Sequence, residues 1–312
     1  MLLDNPKIKA ATVSVSGALG LAIIKLFVAV SSGSMAVMAS AVDSLLDILM
    51  SGVNFMAIRQ AEQPPDQCHP FGHGKFETLA TLFQALVITG SGAWIIYEAT
   101  LRLSRGAVPH HLNQGIGVLA FSALASWGIA SYLRKIAKQT DSTALEADSL
   151  HFRMDIYSNL GLMAGLLFSR WFNIFWLDSA LSILVASYIL HEALKLVRQS
   201  LTDMLDHELP EEIQQQVRDL INSYDGPLGG YHGLRTRRAG SLKIMDFHLE
   251  VCREMSVEEA HNIADGLEKR IETNIPGADV IIHIEPCHKG DCPGRQNCKF
   301  FKSRFANSQT IE

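Results

Sequence analysis

Six long apolar runs succeed one another at 8–31, 35–57, 79–101, 113–133, 149–170 and 176–197. A helix needs about 20 apolar residues to cross a bilayer, and each run approximately reaches that length. Their apolar side chains lie all round the helix and not in one stripe. A large soluble core can bury one such helix; six in succession point to a bilayer. The chain therefore reads as an α-helical membrane protein with six transmembrane helices over 1–205. The rest of its 312 residues has the composition of a soluble domain, which is why the mean hydropathy is only +0.14.

The first run exceeds the apolar region of a signal peptide and lacks a small-residue cleavage site, so the N-terminus reads as uncleaved. With both termini inside, the inner segments carry Lys7, Lys9, Arg59, Lys75, Arg134, Lys135, Lys138, Lys195 and Arg198. The outer ones carry Arg102, Arg105 and Arg170. That bias favours cytoplasmic termini. The net charge is -5 with no dense basic cluster, which argues against nucleic acid as a partner. Five cysteines, Cys68, Cys252, Cys287, Cys292 and Cys298, fall on the side read as cytoplasmic and form no CxxC pair. A disulfide framework is not expected there.

Residues 206–288 read as α-β-β-α-β: a helix over 210–223 with Pro210 in its first turn, a strand near 232–238, and a turn at Gly240. A strand over 242–251 comes next, then a helix to about 274 opened by the capping box of Ser256 and Glu259, and a last strand in "DVIIHIEP". Two helices on one face of a small sheet make a ferredoxin-like α/β domain. Residues 289–312 lack apolar periodicity and read as a disordered tail.

The second run contains "AVDSLLDILM", with Asp43 and Asp47 where hydrocarbon is expected. Each carboxylate there costs about 2.5–3.5 kcal/mol on insertion scales, so something must offset it. The two lie four residues apart on one helix face. The fifth run carries His151 and Asp155 at the same spacing in "LHFRMD". Three carboxylates and an imidazole complete a tetrahedral Zn2+ set, so the aspartates are read as the path of a divalent cation. The loop "DQCHPFGHGK" gathers Asp66, His69 and His73, with Cys68 as a further possible donor. In the soluble domain His232, His248, His261, His283 and Glu285 suggest another metal cluster; His283 and Glu285 share one strand face, and Ile282 and Ile284 the other. Cys287, His288, Cys292 and Cys298 are a soft-metal set by type, but their irregular spacing fits a loose tail better. Lys25 receives no role. Leu150, beside His151, reads either as an apolar plug next to the site or as a lipid-facing leucine.

The paired motifs DxxxD and HxxxD on the second and fifth spans, the soluble domain, and the stretches "HPFGHGKFE" and "HGLRTRRAG" resemble the cation diffusion facilitator family, in its bacterial YiiP/FieF-type branch. The similarity covers about 1–287. It implies a homodimer in the cell inner membrane that exports Zn2+, and also Cd2+ or Fe2+, in exchange for protons. It implies a second metal site at Asp66, His69 and His73, and a binuclear zinc site in the cytoplasmic domain that is structural. Lys75 and Asp206 match positions that form charge pairs at the family's dimer contact. The chain departs from the branch at Glu285, where its relatives carry aspartate.

The chemistry is thus expected to be secondary active transport and not catalysis. "HEALK" at 191–195 begins like the HExxH of a metalloprotease but places Lys195 where the second zinc ligand belongs. A membrane-anchored metal sensor, or an exporter of the same family that prefers Fe2+ or Mn2+, is the alternative reading. The first leaves the intramembrane ligands without a purpose, and the second shares them.

Overall fold

A computed structural model describes residues 5–32, 35–105, 116–172, 176–226 and 228–287; among these, the side chains of 32, 35–43, 46, 102, 105, 116, 118–119, 162, 164–172 and 176–178 are outside the description. The chain divides after Met204 into two compact units.

The first unit holds six long helices: α1 (Pro6–Ser32), α2 (Met35–Ala61), α3 (Lys75–Arg105), α4 (Ile116–Thr140), α5 (Thr143–Phe172) and α6 (Trp176–Met204). Among the described residues, three stretches are long and apolar enough to cross a membrane by length and composition: Pro6–Ser31, Lys75–Leu101 and Ser179–Met204. The side chains explain where the bundle is stable. Phe27, Val30, Met56, Trp94, Leu124, Trp127 and Leu184 point outward, each more than 60% exposed. So much bare apolar surface would aggregate in water and is at home in lipid. Inside, small residues let the helices approach closely: Ala10, Ala11, Ala85 and Ala147 are all but sealed.

Two apolar clusters meet along α5. One joins α1, α2, α4 and α5 through residues such as Ile8, Leu21, Ile58, Leu133, Leu145 and Phe152. The other joins α3, α5 and α6 through Ala85, Ile88, Ala147, Leu150, Ile189 and Leu196. Leu150 is 5% exposed within the second cluster, so of its two sequence readings the lipid-facing one fails.

Polar groups of the bundle turn inward, where protein partners stand in for water. Ser14 bonds Ser51 at 3.0 Å, Asn54 donates to the Ala144 carbonyl at 3.0 Å, and Lys25 donates to Ser44 at 2.8 Å. At one end Lys7 pairs with Glu62 at 2.5 Å and faces Glu77 at 3.7 Å, while Ser142 donates to Glu77. Those contacts bring the start of α1, the end of α2, the start of α3 and the α4–α5 turn to a common level.

The second unit is α7 (Glu211–Asn222), β1 (Leu228–Ala239), β2 (Leu242–Val251), α8 (Val257–Asn274) and β3 (Ala278–Pro286). The sheet order is β1-β2-β3, with β1 antiparallel and β3 parallel to β2. Ser256 and Glu259 close the expected capping box on α8, and Gly240 turns β1 into β2 at φ 64°. Pro210 stands at the N-cap of α7, not within its first turn. β1 begins four residues before its expected start, because pairing of Leu228 with Val251 carries the ladder through Gly229 and Gly230. Val217 and Ile221 of α7 and Leu267 and Ile271 of α8 pack on Met245, Phe247, Leu249, Val251 and Val280. Both helices therefore cover one sheet face, which leaves the other for polar side chains.

Candidate metal centres

In the helical unit, α2 and α5 bring Asp47, His151 and Asp155 together. His151 Nε2 stands 3.0 Å from Asp47 Oδ1, and one donor atom from each of the three lies within 4.8 Å of the others. Zinc bonds of about 2.0–2.2 Å set tetrahedral donors roughly 3.3–3.6 Å apart, so a slight contraction would seat an ion. The His151 and Asp47 side chains are only 11% and 15% exposed. The side chain of Asp43, one turn before Asp47, lies outside the described residues.

One turn before His151, on the same face of α5, Asp148 is fully buried and accepts from Gln84 at 3.3 Å. The sequence reading passed over it. Its signal was the spacing Asp148, His151, Asp155, at i, i+3 and i+7 of one helix.

The α2–α3 connection forms the second cluster. Asp66 Oδ1 accepts from the N–H groups of His69 (2.6 Å) and Cys68 (2.8 Å), a local turn that folds the loop back on itself. Its Oδ1 lies 3.3 Å from His69 Nδ1 and its Oδ2 3.3 Å from His73 Nε2. The His69 backbone bond above all holds the Asp66 carboxyl below the ordinary range. It therefore offers a charged oxygen to a cation between the two imidazoles, whose ring centres are 4.5 Å apart. Cys68 is exposed and does not join these three.

The third cluster lies on the open sheet face. Register sets His232 opposite His248 and His248 opposite His283, with ring centres 5.0 and 4.9 Å apart. Glu285 reaches across them: its Oε1 is 2.7 Å from His248 Nδ1 and its Oε2 3.4 Å from His232 Nε2. His283 Nε2 stands 3.9 Å from Glu285 Oε1. Hydrogen bonding by His248 holds the Glu285 carboxyl below its usual range, with the nearby histidines adding to the effect. His232 is aimed by a β-bulge between itself and Arg235. Gly233 takes φ +66° there, and its α-carbon side faces the His248 ring. Glu250, 3.9 Å from His232, is a second carboxylate that the sequence reading missed.

The remaining candidates stand apart from these sets. His261 is exposed on α8, near Asp265, and is not drawn into the histidine cluster of its own chain. Lys75 opens α3, and Asp206 accepts from Arg237 at 3.4 Å. In the 191–195 stretch His191 is exposed and Lys195 pairs with Glu192 at 2.9 Å. Among the described residues this stretch holds no metal cluster. The tail residues His288, Cys292 and Cys298 lie outside the described residues.

Known proteins resemble this chain over nearly its whole length. Residues 11–205 match the family model of the cation efflux transmembrane domain, and 209–287 that of the cation efflux protein cytoplasmic domain. The cation-efflux pump FieF of Pectobacterium atrosepticum is 36% identical over 277 residues, covering 89% of this chain and 92% of that protein. FieF of Salmonella typhimurium is 33% identical over 288 residues, covering 92% and 95%. A solved chain of the zinc transporter CzrB is 36% identical over 25% of this chain and 98% of its own, at a TM-score of 0.25, an overlap too small to bear on the fold. With a helical transmembrane domain, a cytoplasmic domain built on a small sheet, and relatives of this extent, the chain belongs to the cation diffusion facilitator family of metal-cation efflux transporters, in its FieF-type branch.

Proposed function

We propose that this transporter exports Zn2+, and with it Cd2+ or Fe2+, from the cytoplasm by proton antiport through Asp43, Asp47, His151 and Asp155. The observation that carries this reading is the meeting of Asp47, His151 and Asp155 between α2 and α5, inside a bundle whose outer surface is apolar. With Asp43 added, the empty site carries a formal charge of about -3 where water is scarce, and like charges so crowded cannot all remain ionised. A proton replaces the metal's charge when the ion leaves. Protons and zinc compete for the same carboxylate and imidazole lone pairs, so an inward proton gradient drives zinc outward. Rocking of α2 and α5 against the other helices exposes the site alternately to each side. Leu150, sealed beside His151, serves as the apolar gate.

The working unit is a homodimer in the cell inner membrane with both termini in the cytoplasm, and its protomers are joined near Lys75 and Asp206. Asp66, His69 and His73 form a loop metal site. His232, His248, His283 and Glu285 hold structural zinc. A plain metal sensor has no use for charged ligands inside the bundle. The test is metal flux in proteoliposomes at fixed free Zn2+, Cd2+, Fe2+ or Mn2+ across imposed pH gradients, with lumenal pH followed by a dye. Zinc flux that ignores gradient direction and leaves lumenal pH unchanged means a uniporter.

A further inference from the structure

Between the ligands His151 and Asp155, α5 carries Arg153. Two residues turn a helix by about 200°, so Arg153 leaves α5 on the side away from the metal donors. Its Nη2 donates to the Tyr188 hydroxyl of α6 at 2.9 Å and to the Tyr157 hydroxyl, one turn along α5, at 3.4 Å. The guanidinium carbon lies 5.9 Å from the Tyr157 ring centre, and the Tyr157 and Tyr188 rings meet edge to face with centres 6.0 Å apart. Arg153 stands ten residues into α5, about 15 Å from its start and at the level of the metal donors. A guanidinium at that depth is costly, and two neutral hydroxyls answer it. Among the described residues no carboxylate forms an ion pair with it, and Glu192, one turn from Tyr188 on α6, is paired with Lys195 at 2.9 Å. Stability alone would favour an aliphatic side chain at this place. What the arginine adds is a directional bond across the seam between α5 and α6.

The rest of that seam is apolar. Ala147, Leu150, Met154 and Tyr157 recur at helical spacing on α5 and pack in one cluster with Ile189 and Ala193 of α6. Apolar contact is non-directional, so it fixes the distance between the helices more firmly than the rotation of α5. We propose that Arg153 is a positioning residue that pins the rotation of α5 against α6, and so holds His151 and Asp155 toward Asp47. The proposal rests on the reading of those three as the transport site. The lever is long enough to matter. Side-chain donors sit about 6 Å from the helix axis, where a rotation of roughly 10–15° moves them by about 1–1.5 Å. A shift of that size separates donors up to 4.8 Å apart from the spacing of roughly 3.3–3.6 Å that tetrahedral zinc requires. A small turn of α5 about the pin therefore decides whether the cation is gripped.

The experiment compares Tyr188→Phe, Arg153→Gln, Arg153→Lys and Asp47→Asn with the wild type, each as the full chain in proteoliposomes. The zinc concentration for half-maximal flux is read separately from the maximal rate. Tyr188→Phe removes one hydroxyl and Arg153→Gln the guanidinium; both should raise half-saturating zinc about 10-fold, the low end for residues that orient metal ligands. Tyr188→Phe is the milder change and keeps the test open where Arg153→Gln does not fold. The double variant should be no worse than Arg153→Gln alone, because both act through one bond. Arg153→Lys keeps a charged donor and should recover part of the loss. A residue that merely supports the bundle would lower the melting temperature and the maximal rate while leaving half-saturation alone. That result overturns the pin, and so do effects that add in the double variant. Asp47→Asn separates the two readings. Wild-type flux in that variant removes the transport site and the pin with it. A defective Asp47→Asn beside wild-type half-saturation in Tyr188→Phe and Arg153→Gln overturns the pin alone.

Discussion

Asp47→Asn keeps the volume of the side chain and removes its charge, which makes it the sharpest probe of the intramembrane site. In the native chain Asp47 Oδ1 lies 3.0 Å from His151 Nε2, with Asp155 inside the same 4.8 Å set. The amide can still fill the space between α2 and α5, so the apolar packing around those helices is undisturbed. What is lost is an anionic donor. A charge-assisted contact contributes about 1.5–3 kcal/mol, or roughly 10- to 150-fold in an equilibrium constant at 1.36 kcal/mol per decade. That is a lower bound, since a ligand bonded to a divalent ion contributes more than a hydrogen bond does. Zinc flux at a fixed sub-saturating concentration should therefore fall at least about 10-fold, and zinc affinity by calorimetry should fall with it. The comparison uses equal amounts of protein that elutes at the wild-type size. Wild-type flux and wild-type affinity in the asparagine variant would remove Asp47 from the transport site.

Lys7→Met should destabilise the helical unit by about 3–5 kcal/mol, because Glu62 and Glu77 lose their buried cation; thermal unfolding in detergent measures this, and an unchanged midpoint refutes it. Gly233→Ala forces a Cβ onto φ +66° and should cost about 1–2 kcal/mol. Metal bound at the histidine cluster should fall in the same variant, while Gly233→Asn is milder on both counts; a silent alanine variant means that the bulge does not aim His232. Replacing His232 and His248 together should lower zinc stoichiometry and thermal stability yet spare part of the flux, and a variant that matches wild type in all three makes them ordinary surface residues. Glu285 has its carboxyl held below the usual range, so its contribution is present above the unfolded-state value and is lost as pH falls through the lower folded one. Acid melts of the metal-free protein should accordingly show Glu285→Gln closing on wild type only at the acid end; a constant difference down to the lowest pH contradicts the sign.

The elements were legible where local chemistry fixes them. The apolar runs gave six helices, and Ser256 with Glu259 gave the start of α8 to the residue. β1 was read short because Gly229 and Gly230 look like a turn until β2 pairs Leu228 with Val251 and Gly230 with Glu250. The pairs at spacing four were legible because one helix turn fixes which side chains share a face. Contacts across elements were not. Glu250 comes beside His232 through the register of β1 on β2, and the bulge at Gly233 sets how closely; neither quantity exists in the one-dimensional pattern. His261 shows the opposite error. Its residue type grouped it with the other histidines, while its place on α8 puts it on the outer surface of its own protomer. For Leu150, composition left two readings, and packing against α3 and α6 decided between them.

Glu285 is where side-chain length and sheet geometry bear on each other. Aspartate at that rung would hold its oxygens close to β3. The extra methylene of glutamate lets one oxygen meet His248 on the neighbouring strand while the other faces His232 on the strand beyond it, at 2.7 and 3.4 Å. A single carboxylate thus spans all three strands of the sheet. It supplies a negative charge that imidazoles cannot, and a divalent cation placed among them is attracted rather than merely solvated.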